Sequence, residues 1–282
     1  MTNEEQSIAY HSIQIFVGTY YVQRIPYRIG DDSTMIADET ENHYDTWIDF
    51  HLIPTEMPTV ALPNTNVKLV NIPGKAEPID LTDYLTGHPT YSNRMGNWSF
   101  YTDQDYVDRQ FGGWVAFDKH LRSLFHGRVL KVVLRDDPAY FYVGEISVQP
   151  IQPGDSRSVI TLNYNFYPYK KSLTCSMELW KWDEFDFVDG TIEYMKDMSV
   201  SGTRLVDVIG SRERISPHIS GSSGLQIDKY ENSTWKNYGN VPTEPISSAN
   251  SIIPRLVIEP GVNQLRFRGN GTVTIDYRRG ML

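Results

Sequence analysis

A helical period occurs only once along this chain. From Gly113 to His126 the apolar residues Trp114, Phe117, Leu121 and Leu124 recur at spacings of three and four, the interval that lines one face of an α-helix. Gly127 supplies the stop. The other apolar segments read as strands. Ser12 to Val22 is β-branched and aromatic, and Thr46 to Ile53 alternates, with Trp47, Asp49 and His51 opposite Ile48, Phe50 and Leu52. Val129 to Leu134 and Tyr140 to Val148 flank Asp136-Asp137-Pro138, whose aspartates can bond backbone amides and whose proline presets φ for a tight turn. Ser158 to Tyr167 alternates as one more strand. Gly30 to Tyr44 is polar and acidic, a long loop or an exposed hairpin. Met57 to Pro63 and Val67 to Pro73 are short extended pieces broken by proline, and Asp80 to Leu85 fits one helical turn closed by Gly87. Such a pattern predicts a mainly β fold.

Near Pro168-Tyr169-Lys170-Lys171 the rhythm changes, which divides the chain into domains at 1–170 and 171–282. Short strands then follow at Leu173 to Leu179, Thr191 to Met195, Gly224 to Ile227, Arg255 to Ile258, Asn263 to Arg268 and Thr272 to Tyr277. Their spacing predicts an antiparallel β-sandwich. Glu259-Pro260-Gly261 and Gly269-Asn270-Gly271 read as turns bracketing the last strands, and Gly239 to Asn250 as a loop.

Composition argues against several classes of function. A formal charge of −9 is the wrong sign for a protein that gains affinity by neutralising phosphates. No apolar run approaches the roughly 18 residues of a membrane span, and the acidic start, Met1 to Gln6, lacks the pattern of a secretory signal. The single cysteine, Cys175, permits no intrachain disulfide and suits a reducing cytoplasm. Its alternating apolar neighbours suit a buried, inert thiol. Seven scattered histidines form no HExxH pattern, and G-x-S-x-G, Walker and G-x-G-x-x-G motifs are absent. No catalytic, cofactor or metal residue is therefore expected. Asp183, Glu184, Asp186 and Asp189 could ligate calcium through oxygen or form a solvated loop. Trp180, Trp182, Trp235 and Tyr238 could make a sugar platform, pack a core, or meet a protein.

Several short motifs occur in a fixed order: Trp47-Ile48-Asp49-Phe50-His51-Leu52-Ile53-Pro54; Ile72-Pro73-Gly74 with Asp80-Leu81-Thr82 and Leu85-Thr86-Gly87; Tyr91-Ser92-Asn93-Arg94; Leu124-Phe125-His126-Gly127 and Val132-Val133-Leu134, leading to Asp136-Asp137-Pro138-Ala139-Tyr140-Phe141-Tyr142-Val143-Gly144; Pro168-Tyr169-Lys170; and Asn270 to Gly280. In this order they resemble the distal tail protein (Dit) family of long-tailed siphovirus phages or prophages. The resemblance implies an N-terminal tail-tube-like β-sandwich or split barrel with one α-helix, which would form a ring, and a C-terminal galectin-like antiparallel β-sandwich. It implies no enzyme but a virion protein, made in the host cytoplasm: a homo-hexameric ring at the baseplate or tail tip that serves phage adsorption.

The implied neighbours are the tail tube protein, the tape measure protein, the tail-associated lysin or fibre hub, and receptor-binding parts. DNA would pass through the bore without specific binding, and no membrane is involved. The family-motif residues, structural in role, are Trp47, Pro73, Gly74, Tyr91, Arg94, His126, Gly127, Asp137, Tyr140, Gly144 and Tyr277. Gly74 and Gly144 suit turns or close backbone approach, and Arg94 could pin a loop with its forked donors. The polar 31–45 stretch is expected in the ring contact. The H-x-N-P-R and W-G-x-E motifs of sugar-binding galectins are missing. The rival reading is a carbohydrate-binding protein for cell-wall or capsular glycans. A wall hydrolase has no motif behind it.

Overall fold

The computed structural model describes residues 11–17, 42–84, 87–151, 157–177 and 194–282. The chain forms two compact units that part between Lys170 and Lys171. It is mainly β, with antiparallel strand pairing in both units.

The strands of the first unit are β1 (Ile13–Val17), β2 (Asn42–Asp45), β3 (Ile53–Pro54), β4 (Leu69–Val70), β5 (Ile79–Asp80), β6 (Arg94–Asp103), β7 (Arg128–Leu134), β8 (Tyr140–Val148) and β9 (Arg157–Phe166). Seven of them make one sheet in the order β2-β1-β7-β8-β9-β6-β3, while β4 and β5 pair only with each other. Alternation sets the faces. Ser158, Ile160, Leu162, Tyr164 and Phe166 of β9 point inward, as do Arg94, Trp98, Phe100 and Thr102 of β6. Helix α1 (Gln104–Phe111) and helix α2 (Trp114–Phe125) add Val107, Phe117, Leu121 and Phe125 to that core. Full burial of each large apolar side chain contributes about 2 kcal/mol.

The sequence predicts one helix here, and the described residues of the first unit form two. Val107 is the one fully buried residue of α1, with half-buried Tyr106 and Phe111 packed beside it, so its apolar stripe is too short to show a helical period. Polar contacts add to it: Gln104 Nε2 donates to both Asp108 carboxylate oxygens at 2.8 and 2.9 Å, and Trp114 Nε1 donates to Gln104 Oε1. Asp105 in the first turn and Arg109 in the last complement the helix dipole. Gly112, at φ 75°, ends α1 before α2 begins.

A second correction concerns Thr46 to Ile53, where the predicted strand is mostly a helical turn. Asp45 Oδ1 accepts the amides of Trp47 and Ile48 at 2.9 and 3.1 Å. The amides of Asp49 and His51 then bond back to the carbonyls of Asp45 and Trp47. A short carboxylate offering the backbone this alternative defeats the strand pattern. Only Ile53–Pro54 remains as strand.

The boundary falls within β10 (Lys170–Ser172), and the second unit goes on with β11 (Met198–Gly210), β12 (His218–Gly221), β13 (Gln226–Glu231), β14 (Thr234–Asn240), β15 (Gly261–Asp276) and β16 (Gly280–Met281), with a 3₁₀ turn at Ala249–Ser251. A five-stranded sheet runs β11-β15-β13-β14, with β12 also on β15. Val206, Val208, Ile219, Ile227, Leu265, Phe267, Val273 and Ile275 are among its core residues.

Gly269-Asn270-Gly271, predicted as a turn between two strands, lies inside the single strand β15. There β15 passes from pairing with β13 (through Leu265–Arg268) to pairing with β12 (through Val273–Asp276). Gly269 and Gly271 sit at φ 124° and 148°, and a Cβ on Gly271 would come within 2.4 Å of Ser222 Cβ. The glycines permit a bend and a close approach rather than a reversal. Two further strand expectations fail. Leu173 to Met177 is bend and turn, and Arg255 to Ile258 contributes only an isolated bridge, Ile215 to Ile258. Residues 178–179 and 191–193 lie outside the described residues.

Candidate functional site

Several residues named in the sequence reading meet at the root of one exposed hairpin and at the end of the first unit. Inward-facing Trp98 of β6 donates its indole N–H to the Thr59 carbonyl at 2.7 Å. The Tyr164 hydroxyl accepts the Ala61 amide at 3.0 Å. Arg94, buried at 2% exposure, donates from Nη1 to the Ala61 carbonyl at 3.2 Å and from Nε to the Pro168 carbonyl at 2.7 Å. Its guanidinium stands 5.6 Å from the Tyr142 ring centroid. Burial lowers the arginine from its usual range and raises Tyr142 to about 12, so the cation faces a neutral phenol.

From Ala61 the chain leaves the body as an arm and returns at Tyr91. At its base Thr65 bridges Tyr91, while the amides of Asn66 and Ser92 donate to the carbonyls of Thr90 and Asn64. Farther out, β4 pairs β5 in register Leu69↔Asp80 and Val70↔Ile79. Ile72-Pro73-Gly74-Lys75 makes the reversal after β4. The Lys75 amide bonds the Ile72 carbonyl at 3.0 Å, with Gly74 at φ 85°. Proline presets the first central residue of such a turn, and the second needs positive φ. Asp80 Oδ1 accepts the Thr82 amide, and Thr82 Oγ1 accepts the Lys68 amide at 3.0 Å. The Ile-Pro-Gly and Asp-Leu-Thr motifs are thus the parts that shape the arm.

The second meeting point is Tyr167 to Lys170, where the first unit ends. The Tyr167 amide bonds the Val143 carbonyl, Arg94 holds the Pro168 carbonyl, and Tyr169 meets Tyr91 edge-on at 5.9 Å. Lys170 Nζ reaches Asp137 Oδ2 at 2.6 Å and lies 4.1 Å from the Tyr140 ring centroid. Tyr91, Arg94, Asp137 and Tyr140 therefore converge on one short segment.

The remaining motif residues lie elsewhere. The Trp47 ring lies tilted against His51 at 4.6 Å, and His126 ends α2 and accepts the Val148 amide on Nδ1 at 3.2 Å, with Gly127 beside it. Gly144 lies against β9, and Tyr277 is buried in the second unit. Tyr142, which lies within the quoted Asp136–Gly144 motif, completes the clamp together with Trp98 and Tyr164, two residues that escaped the sequence reading. Their only signal there is alternation along strands, which any core residue shares.

One arrangement in the second unit has the composition of a nucleophilic triad. His218 Nδ1 lies 2.6 Å from Ser251 Oγ, and Asp276 stands opposite His218 in the β12–β15 ladder. Ser251 is fully buried, and its hydroxyl also bonds the Ile246 and Ser248 carbonyls at 3.1 and 2.7 Å. A hydroxyl so enclosed cannot meet a substrate and serves to close its loop. Burial raises the Asp276 carboxyl despite Arg278 and His218. Cys175 is buried and makes no disulfide.

On the outer face of β13, β14 and β15, buried Asp228 accepts from Asn237 at 2.7 Å, Arg266 Nε at 2.8 Å and Arg268 Nη2 at 2.9 Å. Arg266 covers the Trp235 ring at 4.4 Å, and Tyr230 packs on it at 5.3 Å. Trp235 is thus engaged by its own neighbours, which weakens the sugar-platform reading. Burial alone would raise the Asp228 carboxyl, but bonds from Arg268, Asn237 and Arg266 outweigh it and hold the carboxyl below its usual 3.8.

A depressed folded value stabilises above the unfolded one and is lost as pH falls through the folded one. The melting temperature of the second unit is expected to hold from pH 7 to 5 and fall below about pH 4. Asp228→Asn should flatten that acid limb while lowering the neutral plateau. Parallel acid limbs in wild type and variant, read by circular dichroism, would refute the assignment.

Among the described residues no group of His, Cys, Asp and Glu side chains could hold a metal, and no helix is long and apolar enough to cross a membrane. Residues Asp183 to Asp189, Trp180 and Trp182 lie outside the described residues. No protein-family model matches this chain, and no curated protein matches it. A solved structure, the SPP1 Dit (gp 19.1) protein, described as a paradigm of the hub adsorption apparatus in phages infecting Gram-positive hosts, superposes with a TM-score of 0.49. The two are 12% identical, and the match covers 82% of this chain and 94% of that one.

Proposed function

We propose that this chain is a structural protein of a phage tail tip, working by assembly rather than by chemistry. Its first unit would be the tail-tube-like part and close a ring of six copies. The second, galectin-like in this reading, would carry neighbouring tail components, among them the lysin or fibre hub and receptor-binding parts. The observation that carries the reading is where the motif residues went. Pro73 and Gly74 shape an exposed arm, and Tyr91, Arg94, Asp137 and Tyr140 tie its root and the end of the first unit. Pro73, Gly74 and Arg94 fix backbone, while Tyr91, Asp137 and Tyr140 hold the Tyr169 and Lys170 side chains. Heterologous contacts, in which one face of a subunit meets a different face of the next, close into rings of this kind. The polar 31–45 stretch is proposed to join that contact. Only Asn42–Asp45 of it is among the described residues, as the edge strand β2.

Light scattering on a sizing column, followed by negative-stain imaging, tests this. The expected species is six copies of the 32.4 kDa chain, about 194 kDa, with a central hole. A monomer that binds purified wall glycan would instead establish the carbohydrate-binding reading.

A further inference from the structure

We infer that buried Arg94 holds a small monovalent anion on its unused amino group, with chloride the expected occupant. The inference stands apart from the ring reading, because it concerns a single copy of the chain. Arg94 is 2% exposed. A guanidinium carries five N–H donors and cannot shed its proton. Here Nε and Nη1 reach the Pro168 and Ala61 carbonyls at 2.7 and 3.2 Å, while Nη2 is buried with no hydrogen-bond partner. Two neutral carbonyls leave a whole positive charge in the interior, where an isolated ion is strongly disfavoured. A lysine or histidine so placed would go neutral. Arginine needs a counter-charge instead.

The neighbouring side chains do not provide one. Among the described residues no carboxylate pairs with Arg94. Tyr142, whose ring centroid lies 5.6 Å from the guanidinium carbon, would have to ionise to help, and burial lifts it to about 12, so it stays neutral. Asp137 acts on Tyr142 but is engaged by Lys170 at 2.6 Å, and that pair adds no net charge. Enclosure then limits the occupant. Nη2 lies beneath the surface, so a partner's side chain does not reach it, and sulfate or phosphate is too large and too strongly hydrated. Chloride is a single atom that sheds water more readily and brings the one negative charge required. A water would satisfy the N–H groups and leave the charge uncompensated. Held there, the anion would tie β6 to the arm root and to the end of the first unit through one guanidinium.

The test is a thermal melt of the full chain, read by Trp fluorescence, with sodium chloride replacing sodium gluconate at constant ionic strength. Wild type and Arg94→Gln are compared. The wild type is expected to gain about 5–10 °C, saturably, as chloride rises to roughly 100 times its Kd, and the variant to gain nothing. A wild-type melt that chloride leaves unmoved would mean that water alone meets Nη2 and would overturn the inference. An equal gain in Arg94→Gln would assign the effect to the surface at large and overturn it as well. A wild-type crystal grown in bromide reads the place without any variant, so the inference stays open to refutation even if Arg94→Gln does not fold. Anomalous density within hydrogen-bond distance of Nη2 is expected, and its absence would overturn the site.

Discussion

Arg94→Ala is expected to lower the melting temperature of the first unit by about 10 °C, a loss of roughly 3–4 kcal/mol. The side chain is nearly fully buried, and its two bonded nitrogens serve carbonyls far apart in sequence, Ala61 and Pro168. Truncation leaves both carbonyls without a donor and opens a cavity beside Tyr142, and each of these effects is unfavourable. The charge itself is not the source of stability, because burial already disfavours it. Arg94→Lys therefore separates the two contributions. It keeps the cation but offers a point donor in place of a planar fork, so it should recover one carbonyl and about half the loss. Thermal unfolding followed by Trp fluorescence reads all three proteins. If alanine and wild type melt within about 2 °C of each other, the clamp does not hold the arm root and the end of the first unit together.

The second large effect is expected at Gly144, and it arises from space rather than backbone angle. Gly144 stands opposite Phe166 in the β8–β9 ladder. An added Cβ would lie 2.2 Å from the Asn165 carbonyl oxygen and 2.6 Å from Phe166 Cα. Backbone atoms cannot swing aside as a side chain can, so the two central strands must part. Gly144→Ala should cost about 3 kcal/mol or more, at or above the upper end for overpacking. The Gly74→Ala comparison isolates the other kind of glycine. Nothing lies within 4 Å of its added Cβ, and only the φ of 85° is unfavourable, so about 1 kcal/mol is expected. Denaturant melts of both variants decide the matter. Equal losses at the two positions would mean that β8 and β9 yield more easily than their spacing implies.

The contrast between those glycines shows where sequence reading reached its limit. Residue type announced a special position in both cases, but not which kind. The same holds at Gly269-Asn270-Gly271, whose composition is that of a turn and whose surroundings make it a bend inside a strand. What decides is β11, which pairs along β15 from Gly261 to Val273 and keeps the chain extended through the glycines. No window of local sequence contains that partner. At Thr46 to Ile53 the strand pattern is just as clear, and the carboxylate of Asp45 overrides it. The arm is the third case. Its turn chemistry was legible in Pro73, Gly74 and Asp80, but its apolar residues read as ordinary short strands because exposure is a property of what packs nearby.

By itself the sequence determined the elements whose cause is local. Helix α2 follows from the apolar spacing of Trp114, Phe117, Leu121 and Leu124. The β7–β8 hairpin follows from the Asp136-Asp137-Pro138 turn between two β-branched runs, and β9 follows from plain alternation. The mainly β class follows because nearly all the periodicity has an interval of two. Only the tertiary structure decided that Tyr91, Arg94, Asp137 and Tyr140 share one segment, that β15 is continuous, and that the arm carries its apolar side chains outward. Propensity and turn chemistry act over a few residues and can be read along the chain. Burial, close approach and the pairing of distant carbonyls depend on partners that become neighbours only when the chain folds.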